Sequence, residues 1–208
     1  MSDSVTYRST TGGIPGSWVR AKYYMVVDLE ATTSEGGLTF PPSEMETIEI
    51  GAVLVRASTL EPVDEYQAFV KPIRHPVLLP FCTELTGIRQ DMVDGAPFFA
   101  DAFIGMKRRL IAGRDGLVVW GSWGNFDAVQ FQRDCALNRV DYGMPPHLNM
   151  EEALSSAQGW RKRYDMAKAL TRCGLTLKGA HHRGIDDARN IARMLPWIVA
   201  GEKTPWTR

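Results

Sequence analysis

The sequence predicts a mixed α/β sheet with helices packed on it. Three observations carry this. A short unbroken apolar run opens the body, at Tyr23-Tyr24-Met25-Val26-Val27-Asp28. Two more strand-like runs follow, separated only by a short turn. Beyond them, helical patterns alternate with apolar strand-like runs to the end of the chain.

In chain order, the first run is apolar on both faces, which suits a strand buried at the centre of a sheet. A polar loop through Gly36, Gly37, Pro41 and Pro42 follows it. The runs at residues 47–55 and 65–70 are joined by a turn at 59–64 that leaves no room for a crossover helix. They are therefore expected to pair as an antiparallel hairpin. Residues 98–111 read as helix, 117–120 as an apolar strand and 125–137 as helix. Helical patterns recur at 151–157, 165–173 and 185–199, giving about five strands in all. Residues 1–20 are rich in Ser, Thr and Gly without a period, and 201–208 read the same way. The expected organisation is a single domain at 21–200 between two flexible tails, with Ile14 or Trp18 able to dock on the body.

Composition narrows the function classes. Of the 208 residues, 44% are hydrophobic and 23% charged, an ordinary globular balance that excludes a wholly disordered or fibrous chain. Lys plus Arg is 24 and Asp plus Glu is 24, so no global charge draws the chain onto a polyanion, and one would have to be held locally. The three cysteines (Cys82, Cys135, Cys173) are scattered without C-x-x-C spacing and read as reduced, buried thiols. No run is long and apolar enough for a membrane span, and the N-terminus lacks a signal-peptide core, so a soluble cytoplasmic protein is expected.

The phosphate-loop, G-x-G-x-x-G and H-E-x-x-H patterns are absent, and Trp120-Gly121-Ser122-Trp123-Gly124 misses the nucleophile-elbow spacing by one residue. Three acidic features remain. Asp28 and Glu30 stand two apart at the end of the first strand, so both carboxylates project to one face and can meet one metal. A solvent-facing acidic pair is the competing explanation, but the C-terminal end of a central strand borders the crevice where open α/β sheets bind ligands. Asp127 opens a helix just after the fourth strand, a place an Asp also takes for the helix dipole alone. In His181-His182-Arg183-Gly184-Ile185-Asp186-Asp187, a His precedes an Asp by five residues twice. Asp187 shares a helical face with Ile191, Met194 and Leu195, whereas Asp186 shares one with Arg189, Asn190 and Arg193. Asp187 is thus expected to point inward, where an Asp needs a partner or a metal, and Asp186 to serve the helix start.

As a set, these residues resemble the DEDDh exonuclease family: Asp-x-Glu on the first strand, an Asp at a helix start, and His-x-x-x-x-Asp near the C-terminus. The local sequence is similar to the Eri-like branch, the group of 3′hExo and bacterial KapD-type proteins. The matching stretches are Val27-Asp28-Leu29-Glu30-Ala31-Thr32, Glu46-Thr47-Ile48-Glu49-Ile50-Gly51, Phe81-Cys82-Thr83-Glu84-Leu85-Thr86-Gly87-Ile88, Gly121-Ser122-Trp123 and the segment from His182 to Ala192.

The resemblance implies an RNase H-like fold with a five-stranded mixed sheet flanked by helices. It also implies two Mg²⁺ ions, replaceable by Mn²⁺, held by Asp28, Glu30, Asp127 and Asp187, with His182 as general base. Asp127 lies a few residues later than its counterpart in 3′hExo. Ala31 and Thr32 would contact the terminal ribose through backbone groups, Leu85 and Thr86 the terminal nucleotide, and Ser122 and Trp123 the substrate near the metals. From the residues alone, Leu85 equally suits a core and Trp123 a packed strand end. Arg161, Lys162 and Arg163, or Lys178 and Arg183, could supply local positive charge, though such a run also suits a solvated face. The implied activity is 3′→5′ exonucleolytic release of nucleoside 5′-monophosphates from single-stranded RNA or short 3′ overhangs, with RNA favoured over DNA. A DNA exonuclease on this fold and a non-catalytic RNA- or protein-binding module are the alternatives.

Overall fold

The computed structural model describes residues 14–205. It contains β1 (Tyr23–Ala31), β2 (Thr47–Arg56), β3 (Pro62–Phe69), β4 (Val118–Ser122) and β5 (His147–Asn149), in the order β3-β2-β1-β4-β5. β2 pairs antiparallel with both β1 and β3, while β4 pairs parallel with β1 and β5. The expected hairpin and the mixed five-stranded sheet are both present, with β1 at the centre.

The two faces of β1 are covered by different helices. Odd-numbered Tyr23, Met25, Val27 and Leu29 pack with Phe103, Met106 and Phe131 of α4 (Phe99–Leu110) and α5 (Phe126–Asn138). Even-numbered Tyr24 and Val26 pack on the other side with residues of α6 (Met150–Gln158), α7 (Met166–Arg172), α8 (Gly184–Ala192) and α9 (Leu195–Val199). The pleat sends alternate side chains to opposite faces. Asp28 and Glu30 therefore continue the even face, toward α8. That helix starts almost against the sheet: a Cβ on Gly51 would lie 2.1 Å from the Gly184 carbonyl carbon, so only glycine fits in β2 at this point.

Several elements depart from the sequence expectation. The stretch 185–199 is two helices, since α8 ends at Ala192 and α9 restarts with Pro196 in its first turn. α2 (Pro80–Thr86) and α3 (Gln90–Asp94) occupy a span that has no long helical period. β5 is only three residues long, too short to show an alternation. The N-terminal tail expected at 1–20 is structured at its end: α1 (Gly16–Val19) buries Trp18 to 1% exposure, stacked on Tyr24. At the other end, Thr204 is 3% exposed and its N–H donates to Gln158 Oε1, so residues within 201–208 dock on α6. Residues 1–13 and 206–208 of those tails lie outside the described residues. The three cysteines are free and buried. Among the described residues no helix is long and apolar enough to cross a membrane.

Candidate active site

Asp28, Glu30, Asp127 and Asp187 converge at the C-terminal end of β1, on the walls of one open cleft of about 280 Å³ that also holds His181 and His182. One carboxylate oxygen from each of Asp28, Glu30 and Asp187 lies within 4.8 Å of the others. Asp127 is fixed from the side, its Oδ1 accepting the Leu29 N–H at 2.9 Å, so the start of α5 is latched onto β1. Ser122 bonds the Asp127 carboxyl, and its Oγ also lies 2.8 Å from His147 Nε2. Burial lowers the His147 pKa to about 4, so this imidazole is neutral.

Crowding these acids out of water favours their protonated forms. Burial first, then the charges of Asp127, Glu30, Asp187 and Glu49, hold Asp28 well above the usual carboxylate range. Glu30 is pushed up to about 8 by burial and by Asp187, Glu49 and Asp127, with Arg183 opposing. Asp127 rises to about 6 through burial, moderated by its bonds from Ser122 and Leu29. Asp187 is 4% exposed, and its Oδ1 is buried with no hydrogen-bond donor among the described residues. A hard divalent cation answers both facts, because it neutralises clustered carboxylates and takes oxygen donors that nothing else satisfies. The donor set fits such ions.

The histidine arrangement differs from a single His facing an Asp. His181 Nδ1 lies 3.0 Å from Asp187 Oδ2, while His182 reaches that oxygen through its backbone N–H at 2.9 Å. His182 has φ +61°, and this left-handed turn stacks its ring on that of His181 with centroids 4.0 Å apart. Burial and the neighbouring His181 lower the His182 pKa, with Asp187 opposing. Both rings stand in the cleft, so His181 joins the residue that the motif singles out. Asp186 stays outside: it accepts the Ala180 N–H and pairs with Arg189, as a helix-start residue on a solvated face does.

The expected substrate residues are placed unequally. Leu85 is 39% exposed on α2 and is not among the residues that line the cleft. Thr86 is buried, its hydroxyl donating to the Cys82 carbonyl and accepting the Ile88 N–H, so it shapes the α2 end. Ala31 is buried; Thr32 Oγ1 accepts the Glu46 N–H, and the Thr32 N–H donates to Glu46 O. These groups brace the strand end, and the Thr32 N–H is already engaged. Ser122 is buried beside Asp127, whereas Trp123 lines the cleft with its indole N–H on the Tyr164 carbonyl at 3.2 Å.

Glu49 is the residue whose importance the sequence conceals. It faces Glu30 across the β1–β2 ladder, is fully buried, and accepts from Arg183, the Gly184 N–H and Gln67. The available signal was a Glu in the middle of an otherwise apolar strand, which burial forbids unless it is paired.

Residues 25–195 match the RNase_T family model, described as Exonuclease. The chain is 30% identical to 3′-5′ exonuclease eri1 of Schizosaccharomyces pombe, over 89% of this chain and 75% of that protein. It is 33% identical to ERI1 exoribonuclease 3 of Homo sapiens, over 86% of this chain and 54% of that protein. It spans 51% of human 3′-5′ exoribonuclease 1, so about half the length of several curated relatives. Among solved structures, the nuclease domain of 3′hExo, a DEDDh family member bound to rAMP, superposes with TM-score 0.73 at 30% identity, covering 84% of this chain and 90% of that chain. Cell-death related nuclease 4 superposes with TM-score 0.76 at 19% identity over 87% of this chain and 64% of that chain, and shows the shared fold alone.

Proposed function

The chain belongs to the exonuclease (RNase_T) family, and from that membership we propose that it is a 3′→5′ exoribonuclease releasing nucleoside 5′-monophosphates from single-stranded RNA. The observation that carries this reading is the convergence of Asp28, Glu30, Asp127 and Asp187 beside two histidines at the end of the central strand. RNA is favoured over DNA because relatives named exoribonucleases align with most of this chain at 32–33% identity.

Asp28, Glu30, Asp127 and Asp187 would hold two Mg²⁺ ions, or Mn²⁺ in their place. When bound, such ions lower the pKa of a water and neutralise charge on the phosphodiester. His182 takes the proton from the attacking water, in the unprotonated form that its lowered pKa favours near neutral pH. His181, on Asp187, orients that carboxylate and supports the His182 ring from below. Leu85 supplies an apolar surface for the terminal base, and Trp123 a wall of the cleft.

The deciding experiment is degradation of matched 5′-labelled single-stranded RNA and DNA with Mg²⁺, Mn²⁺ or EDTA, beside Asp28→Asn. A metal-dependent ladder shortening from the 3′ end, faster on RNA and absent in the variant, is expected. A faster DNA ladder would reassign the substrate. No cleavage by folded protein would leave a binding module.

A further inference from the structure

We propose that the loop between α6 and α7 is a rail for the phosphate backbone of the RNA strand 5′ of the bond being cut, gripped by Arg161, Lys162 and Arg163. This rests on the exoribonuclease reading and extends it to the part of the substrate outside the cleft.

The loop is short and held at both ends. Gly159 closes α6 in the left-handed region at φ +67°, and Asp165 caps α7 by accepting the Lys168 N–H at 2.9 Å. Between them three successive cations face solvent. The base of the loop is an aromatic block: Trp160 and Tyr164 meet edge to face at 5.3 Å, with the Arg172 guanidinium 4.9 Å and 4.6 Å from the two rings. Lys162 Nζ lies 5.2 Å from the Tyr164 ring centroid, so its stem is supported too.

Two connections tie this loop to the cleft. The Tyr164 carbonyl accepts the indole N–H of Trp123, a cleft-lining residue. Asp165 and Met166, directly after the loop, line the same cleft. Consecutive Cα atoms are about 3.8 Å apart, so the Arg163 backbone stands within about 8 Å of the cleft wall.

The charge is available for a ligand. Arg161 forms no ion pair or hydrogen bond among the described residues. Arg163 faces Glu151 and Glu152 only at 4.0 and 3.9 Å, and Asp165 is engaged by Lys168. On a chain of zero net charge, three adjacent cations at the rim of an acidic cleft supply the attraction that the cleft itself withholds from a polyanion.

The test measures binding of a 5′-fluorescein single-stranded RNA 12-mer in Mg²⁺ between 50 and 200 mM salt, in an Asp28→Asn background that blocks cleavage. The comparison is the same protein with Arg161→Gln, Lys162→Gln and Arg163→Gln together. Each lost phosphate contact removes about 0.7 from the log–log salt slope for a single strand. The rail predicts a slope smaller by about 2, equivalent to an affinity loss across that range about 20-fold smaller in the variant. Arg161→Gln alone, at an exposed and unpaired position, gives a reduction of about 0.7 and guards against misfolding of the triple variant. Unchanged slopes in both overturn the proposal. A parallel assay asks whether the unaltered protein hydrolyses the 12-mer at all. Its failure would remove the exonuclease reading while the slopes still decide the rail.

Discussion

Arg183 Nε lies 3.0 Å from Glu49 Oε2, joining the residue after His182 to the middle of β2. The Gly184 N–H reaches the same oxygen at 3.2 Å, and Gln67 holds the other at 2.6 Å. The buried carboxylate thus pins the turn that carries both histidines and starts α8, without itself lining the cleft. Glu49→Gln keeps the shape and removes the charge. Outer-shell partners of this kind typically contribute 10–100-fold in metal affinity or activity. The expected outcome is a loss of kcat in that range and a raised metal requirement, at unchanged far-UV circular dichroism. Wild-type kcat and metal midpoint in this variant would show that the pair serves only stability.

Removing one acid from the cluster should separate activity from stability. Asp28→Asn or Asp187→Asn deletes a proposed metal ligand, and the loss of several kcal/mol of charge stabilisation corresponds to on the order of a 10³-fold fall in rate. The same change relieves repulsion among buried carboxylates, so in EDTA each variant is expected to melt at or above the wild-type temperature. Differential scanning calorimetry beside the nuclease assay checks both, and a variant that melts well below wild type in EDTA would contradict the electrostatic account.

The raised acids also set a pH dependence. The folded-state pKa of Glu30 is about 8 and that of Asp127 about 6, both above ordinary carboxylate values, so the folded protein binds more protons than the unfolded chain. Their contribution is complete below about pH 4 and is lost as pH rises to about 8. Ion-paired Asp64, lowered by Arg109 and Arg114 against a burial effect that opposes them, titrates below this window. Metal-free protein should therefore lose stability between pH 5 and 8 less steeply once Glu30→Gln removes one of the raised acids. Added Mn²⁺ should raise the melting temperature more at pH 8 than at pH 5, and equal gains would count against the cluster as the metal-binding site.

The two histidines make a direct contrast. His182→Asn is expected to lower kcat by about 10²–10⁴-fold, the range for a general base, with little change in metal affinity. His181→Asn, which removes the ring on Asp187, is expected to act more weakly and mainly through the metal requirement. Steady-state kinetics with metal titrations of both variants separates the roles. A larger kcat loss in His181→Asn would exchange them.

Much of this was legible in the sequence because it depends on period and position. The apolar run ending at Asp28 announced the central strand, and the stripe through Ile191 and Leu195 oriented Asp187 inward. What stayed hidden depends on long-range pairing. The apolar surroundings of Glu49 say that it needs a partner, but nothing local names Arg183, which arrives from the far end of the chain. Nor does spacing show that His181 would reach Asp187 with its side chain while His182 does so with its backbone, since that follows from one residue in the left-handed region. Trp18 was named as able to dock on the body and does so, whereas Thr204 was missed because docking onto a finished core leaves no periodicity in so short a segment.

The close seating of Gly184 on Gly51 has a temporal side. Asp28 and Glu30 emerge early in synthesis, Asp127 past the midpoint and Asp187 near the end of the sequence. The last carboxylate arrives only when α8 lies backbone against backbone on β2, a fit that a single methyl group would block. A ribosome-bound fragment lacking α8 holds an incomplete set of acids however well its sheet has formed. The complete carboxylate set is thus a property of the chain through α8 and of no shorter N-terminal fragment.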